Sequence, residues 1–238
     1  MLKDSQVPEG TLVWAHEQTG GRGQRGNTWK SEANKNITLS IILKPNLKVD
    51  KQFYLTRVIS LGMVDFLNKC LKKSGLNPKK SDISDESVHE VKIKWPNDIY
   101  AGDKKIAGIL IENLLKEDQV NVSIIGIGLN VNQTEFGELI QATSLCSLTG
   151  EVFDLKDCIG RLCEFIEAGY LQLKAGKEEQ LKKDYTYSLY QLNRLCDYEK
   201  AGRIFKAVLT GVNEQGRLLL KDENGETHSY DLKELKFI

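Results

Sequence analysis

With 238 residues, 40% hydrophobic and 28% charged, the chain is long enough for one medium domain plus a small appendage and can bury a sizeable core. Its 33 basic and 33 acidic residues cancel. A balanced chain has no general electrostatic attraction to nucleic acid or an anionic membrane, so any affinity for phosphate must come from a local cluster. No apolar run approaches the roughly 20 residues of a membrane span, and the opening MLKDSQVPEG lacks the apolar stretch of a signal peptide. Five cysteines without a CxxC pair and three scattered histidines predict reduced thiols in the cytoplasm and no zinc site.

Residues 11–16 and 37–43 are rich in branched and apolar side chains and predict strands. From Asp50, a plausible N-cap, apolar residues recur at spacings of three and four to a stop at Gly75, which predicts a helix. Residues 72–90 are polar and aperiodic and predict a surface loop. Three strands are then expected as a meander, 91–95, 105–114 and 120–127, with AGDKK as the hairpin turn joining the first two. Helices are expected near 155–174 and 177–192. The tail from about 200 alternates apolar runs with the turn formers NEQG and NGE, which predicts a small β-barrel or sheet.

Four segments carry chemistry. Residues 20–26, GGRGQRG, satisfy GxGxxG, but no helix follows the last glycine, so the dinucleotide-binding reading fails. Glycines admit an anion close to the backbone, and Arg22 and Arg25 offer forked donors, so an anion-binding loop that orders over its ligand is expected. Trp29 beyond it suits an aromatic cover, although an isolated tryptophan is more often core. In KWPND, Lys94 and Asp98 flank a turn at a strand end, an arrangement that suits phosphate and its magnesium ion; a plain turn explains Pro96 and Asn97 equally well. In KKIAG, Gly108 sits inside a strand, which often marks close approach by a ligand. Regular alternation would place Lys105 and Gly108 on opposite faces, so their joint use needs a bulge or a backbone contact. In GIGLNVN, the amides of Asn130 and Asn132 can pair with a nucleobase edge, and a turn is the simpler alternative.

In this order and spacing the segments resemble the biotin–protein ligases, across residues 18–132 and, with ATSL and the strand-rich tail, nearly the whole chain. The resemblance implies an α+β catalytic domain over 1–193, a mixed, largely antiparallel sheet flanked by helices as in class II aminoacyl-tRNA synthetases. A small SH3-like barrel would occupy 194–238. It implies ATP and Mg2+ as cofactors, biotin as substrate and a biotin carboxyl carrier domain as partner, in a monomer or homodimer. Gln18, Gly21, Arg22, Gly23, Gln24, Lys105 and Gly108 would surround biotin. Arg25, Trp29, Lys94, Asn97, Asn130 and Asn132 would hold the nucleotide, with Asn130 on adenine and Trp29 beside it. Lys105, Arg22 and Asp98 would be catalytic, with Asp98 serving the metal or the incoming amine.

The chain departs from the family pattern in three places. Gln24 and Asn27 stand where arginines are usual, which reduces or alters phosphate contacts. No Ser-Thr-Asn segment precedes Pro8, so either the start is truncated or another group holds the ureido ring. No winged-helix segment is present, so no DNA partner is expected. The competing readings are a lipoate–protein ligase or octanoyltransferase of the same fold, and a non-catalytic biotin-binding relative.

Overall fold

The computed structural model describes residues 7–76, 90–139 and 141–238, without the side chain of Arg25. Most of the loop expected over 72–90 lies outside the described residues. In chain order the elements begin with β1 (Leu12–Ala15), β2 (Gly21–Arg22), β3 (Thr28–Trp29), β4 (Ile37–Leu43), β5 (Leu47–Lys48) and α1 (Phe53–Lys73). Then come β6 (Val91–Lys94), β7 (Asp98–Ala101), β8 (Lys104–Lys116), β9 (Gln119–Leu129), α2 (Leu145–Thr149), α3 (Leu155–Lys174) and α4 (Glu178–Tyr187). The tail holds β10 (Leu195–Lys200), β11 (Arg203–Val212), β12 (Leu218–Lys221), β13 (Thr227–Tyr230) and β14 (Lys236–Phe237).

One antiparallel sheet has the spatial order β1-β4-β9-β8-β7-β6, with β5 also paired to β9. Strand β9 shows how its two faces differ. Ile125, Ile127 and Leu129 point into the core, whereas Gly126 and Gly128, one step out of phase, are half-buried. The core face receives α1, which buries Leu55, Val58, Ile59, Phe66, Leu67 and Leu71 at helical spacing. Helix α3 crosses α1 closely at Gly62, where an added Cβ would lie 3.0 Å from the Cα of Ile166. Among the described residues no helix covers the opposite face of the sheet, which carries the candidate site.

Several expectations shift here. Asp50 does not cap α1. The β5–β9 pairing continues into Val49, whose amide donates to Asp118, so Asp50 falls in a short 3-10 turn and Gln52 precedes the helix. Gly75 does end it, at φ +82°. The meander has four strands, because residues 98–101 form β7 and the Trp95–Pro96–Asn97 corner is itself the β6–β7 hairpin turn. Helix α4 stops at Tyr187, and the chain beyond adds to the edge of β6 through Ile93, whose amide donates to Ser188 and whose carbonyl accepts from Tyr190. The tail is a five-stranded antiparallel sheet, β13-β12-β11-β10-β14, with β10 and β14 additional to the sequence reading.

Near the chain start, Glu9 ties β4 to α3. Its carboxylate accepts from the Tyr170 hydroxyl at 2.6 Å, Lys174 Nζ at 2.9 Å and the Lys44 amide at 2.9 Å. Burial pushes the carboxyl up, but these three donors together outweigh it and hold Glu9 below the usual carboxylate range. A group whose folded pKa is depressed adds stability above its ordinary pKa, and that stability is lost as pH falls through the folded value. Glu9→Gln is therefore expected to lower stability by about 1 kcal/mol at neutral pH, a hydrogen-bond-sized loss discounted for partial exposure. The gap to the parent chain should close on acidification below pH ~4. Urea melts of both proteins across that range check the sign.

Candidate active site on the open face of the sheet

The register of the strands lines up one row of residues across the sheet. Ala15 pairs with Thr38, Thr38 with Gly128, Gly128 with Gly108, Gly108 with Asp98, and Asp98 with Lys94. Residues paired in this way share a face. The row therefore presents two adjacent glycines in the middle and two charged groups at one end. The Trp29 indole lies on the glycines. A Cβ on Gly128 would overlap its six-membered ring, and one on Gly108 would come within 3.4 Å of it. Gly128 thus has no room for a side chain while the indole is in place. The indole Nε1 is buried there without a hydrogen-bond partner.

Lys105 reaches the same floor through the irregularity that strict alternation had required. Between Ile99 and Tyr100 the β7–β8 register slips by one, so Tyr100 faces Lys105 while Ile99 faces Ala107. The extra residue, Ile106, is buried, and Lys105 joins Gly108 on the open face. Its backbone is held by the segment after Leu139: the Lys105 amide donates to Gln141, and its carbonyl accepts from Thr143. Lys105 Nζ lies 2.7 Å from Asp98 Oδ1 and 5.7 Å from the Trp29 ring centroid. Lys94, at the end of the row, has rings in place of a carboxylate. Its Nζ donates to the Tyr100 hydroxyl at 3.3 Å and stands 4.8 Å from the Tyr100 ring and 5.5 Å from that of Phe237. Burial lowers the Lys94 pKa and the nearby Lys105 adds to this, with Asp98 opposing. Burial beside Asp98 pushes the Tyr100 hydroxyl up to about 12.

The glycine loop is a small hairpin. Gly21 pairs with Trp29 and Arg22 with Thr28, a short 3-10 turn holds residues 24–26, and the Gly23 amide donates to Asn27. A Cβ on Gly21 would strike the Trp29 carbonyl and come within 2.9 Å of Gln18 Oε1, so a glycine is needed for the hairpin to close. Arg22 is exposed and bonds Glu112 Oε2 at 3.1 Å. Glu112 is on β8, four residues beyond Gly108. Gln24 is half-buried in the turn, and the Arg25 side chain lies outside the described structure.

The three asparagines are less free than their motifs suggest. The Asn97 amide donates to the Ile109 carbonyl at 2.6 Å and the Asn130 amide to the Thr143 carbonyl at 2.9 Å. Both ends of the Asn132 amide are used by the backbone of Phe153, at 2.8 and 2.9 Å. Asn132 is thus a strut between two loops, and Asn130 keeps its carbonyl oxygen for a further partner. Among the described residues, the one group of three side chains close enough to share a metal ion is Asp222, Glu226 and His228 on the β12–β13 hairpin, and it does not include Asp98.

The model of the biotin/lipoate A/B protein ligase family matches residues 1–131. The chain belongs to that family. It is 30% identical over 228 residues to the bifunctional ligase/repressor BirA of Bacillus subtilis, covering 94% of this chain and 65% of that protein. It is 29% identical over 221 residues to the biotin–[acetyl-CoA-carboxylase] ligase of Mycobacterium tuberculosis, covering 92% and 76%. The biotin protein ligase from Aquifex aeolicus in complex with biotin and ATP superposes with a TM-score of 0.76 at 26% identity, covering all of this chain and 93% of that one. The chain spans about two thirds of the length of the Bacillus relative.

Of the residues expected at a biotin/lipoate ligase site, the structure brings together Trp29, Lys94, Asp98, Lys105 and Gly108, with Gln18 and Gly21 at the hairpin hinge. Arg22 lies further along β8. Gly128 belongs with them and was missed, although a glycine inside a strand is the signal that singled out Gly108. Glu112, Tyr100 and Phe237 have no local signal; only register and the docking of the tail place them. Gly128→Ala is expected to lift the indole off the sheet while the backbone stays compatible. Acrylamide quenching of tryptophan fluorescence should rise, and stability should fall by about 1–3 kcal/mol, as for overpacking. Quenching equal to the parent's would mean that the indole does not depend on that gap.

Proposed function

We propose that this chain is an ATP-dependent biotin–protein ligase: the biotin carboxylate displaces pyrophosphate from the α-phosphate of ATP to give biotinyl-AMP, and a lysine amine of a carboxyl carrier domain then takes the biotinyl group and releases AMP, in the cytoplasm. The carrying observation is a lysine–carboxylate pair, Lys105 with Asp98, beside a floor of two glycines under the Trp29 indole. The relatives support the choice of biotin, since the Mycobacterium relative is a biotin–[acetyl-CoA-carboxylase] ligase and the Aquifex biotin protein ligase structure contains biotin and ATP. Residues 1–193 would form the catalytic unit and 194–238 the appended sheet.

The first step brings a carboxylate against a phosphate. At about 4 Å and an effective dielectric constant near 20, two unit charges repel by about 4 kcal/mol. Lys105 would offset that repulsion by leaving Asp98 for the two anions, and its charge would count most as negative charge grows on the phosphoryl oxygens. The glycine floor would let the flat part of a ligand lie against the sheet, with Trp29 Nε1 supplying an unused donor. Asn130 keeps an acceptor free for adenine. Arg22 would turn from Glu112 towards the ligand as the hairpin closes and excludes water from the anhydride. Asp98, half-exposed and the one carboxylate on this row, fits the small protein share of a magnesium site completed by phosphates. When bound, the ion would screen phosphate charge. In the second step Asp98 would take a proton from the incoming amine, whose ordinary pKa is about 10.4.

Lys105→Ala is expected to keep the fold, because the side chain is at the surface of the sheet, and to cut biotin-dependent pyrophosphate release by on the order of 10²-fold or more. Unchanged release by the folded variant would remove Lys105 from this role.

A further inference from the structure

Arg57 on α1 is fully buried, yet it pairs with no carboxylate among the described residues. Its Nη2 donates to the Asn213 carbonyl at 2.7 Å, its Nε and Nη1 have no hydrogen-bond acceptor, and the rings of Phe53 and Tyr54 face the guanidinium at 5.1 and 4.5 Å. Burying a charge on such terms is costly, so the contact it secures must be strongly held by its surroundings. That contact is the β11–β12 turn, residues 213–216, which leaves the C-terminal sheet and enters the catalytic unit.

Two more contacts seat the same turn. Gly216 adopts φ +86°, and a Cβ there would collide with the Phe53 ring, so the ring lies directly on the glycine backbone. The Gly216 carbonyl accepts from Trp95 Nε1 at 2.9 Å, a bond shielded from water. Trp95 is the residue between Lys94 and the Pro96–Asn97 corner that leads to Asp98. A second contact from the tail reaches the row itself, where Phe237 of β14 covers Lys94. The KWPND corner is therefore gripped from the C-terminal sheet at Trp95 and Lys94, while Asn97 pins it to β8.

We propose that the 213–216 turn is a positioning element for the reaction, acting through Trp95 to set Asp98 against Lys105; Trp95, Arg57 and Gly216 are positioning residues that do not touch the substrates. The inference rests on the function proposed above. Displacing reacting groups by about 1 Å can cost on the order of 10²-fold in rate, so a grip on the corner has catalytic consequences without contacting the ligand.

Trp95→Phe keeps an aromatic ring and removes the donor. It should lower kcat for biotin-dependent ATP–pyrophosphate exchange roughly 10- to 100-fold with little change in the KM for biotin, since the glycine hairpin is untouched. Gly216→Ala should act in the same direction where it folds. If Trp95 works through Asp98, its effect should largely vanish in an Asp98→Asn background. A merely structural role predicts additive losses, and additivity, or an unchanged kcat in Trp95→Phe, overturns the proposal. A readout without substrates separates this from the activity: the Asp98 carboxyl-carbon resonance of the ligand-free chain should move in Trp95→Phe, and an unmoved signal overturns the positioning role. Absence of biotin-dependent exchange in the parent chain would instead overturn the proposed function, leaving the resonance to decide the inference.

Discussion

Two glycines facing each other across adjacent strands set the terms for the site. Gly108 and Gly128 remove side chains from the middle of an otherwise ordinary sheet, and the resulting gap admits a flat group down to the backbone. That group is the Trp29 indole. The hairpin that carries it depends on a third glycine, Gly21, for its closure. Lys94, Asp98 and Lys105 lie at the rim of this bare patch, brought there by the register of β6, β7 and β8.

At the rim, three ionisable groups have different surroundings. Lys105 has a carboxylate, Asp98, and remains partly exposed. Lys94 stands over aromatic rings, and burial, with Lys105 nearby, lowers its pKa. Asp98 stands between Lys94 and Gly108 in the register, with Lys105 Nζ 2.7 Å from its Oδ1. A surface pair of this kind contributes little to stability. In the proposed reaction its value would lie in offering a cation that exchanges one anionic partner for another.

The C-terminal sheet does more than append a module. Its β11–β12 turn ends against Phe53, Arg57 and Trp95, and its last strand places Phe237 over Lys94. The guanidinium buried at this junction has a single acceptor, the Asn213 carbonyl, among the described residues, so its burial is costly. The junction therefore links the tail to the corner that carries Asp98.

Local patterning was enough to read the helix from residue 53, the long apolar strands and the strand-rich tail, because periodicity reports which side of an element meets the core. It flagged Asp98 and Gly108, since charge at a strand end and glycine inside a strand are anomalies visible in one dimension, whereas the roles expected of Lys105 and Trp29 rested on the family resemblance. It did not see β7, whose four residues follow a proline corner, or the cap of α1, which the β5–β9 pairing displaces from Asp50. Only the tertiary structure decided that a bulge at Ile106 turns Lys105 to the glycine floor, that Arg22 rests on Glu112, and that Asn132 is a strut. Each of these depends on register or on contacts between residues far apart in the chain. A one-residue slip reverses the face a side chain occupies, and no local pattern records it.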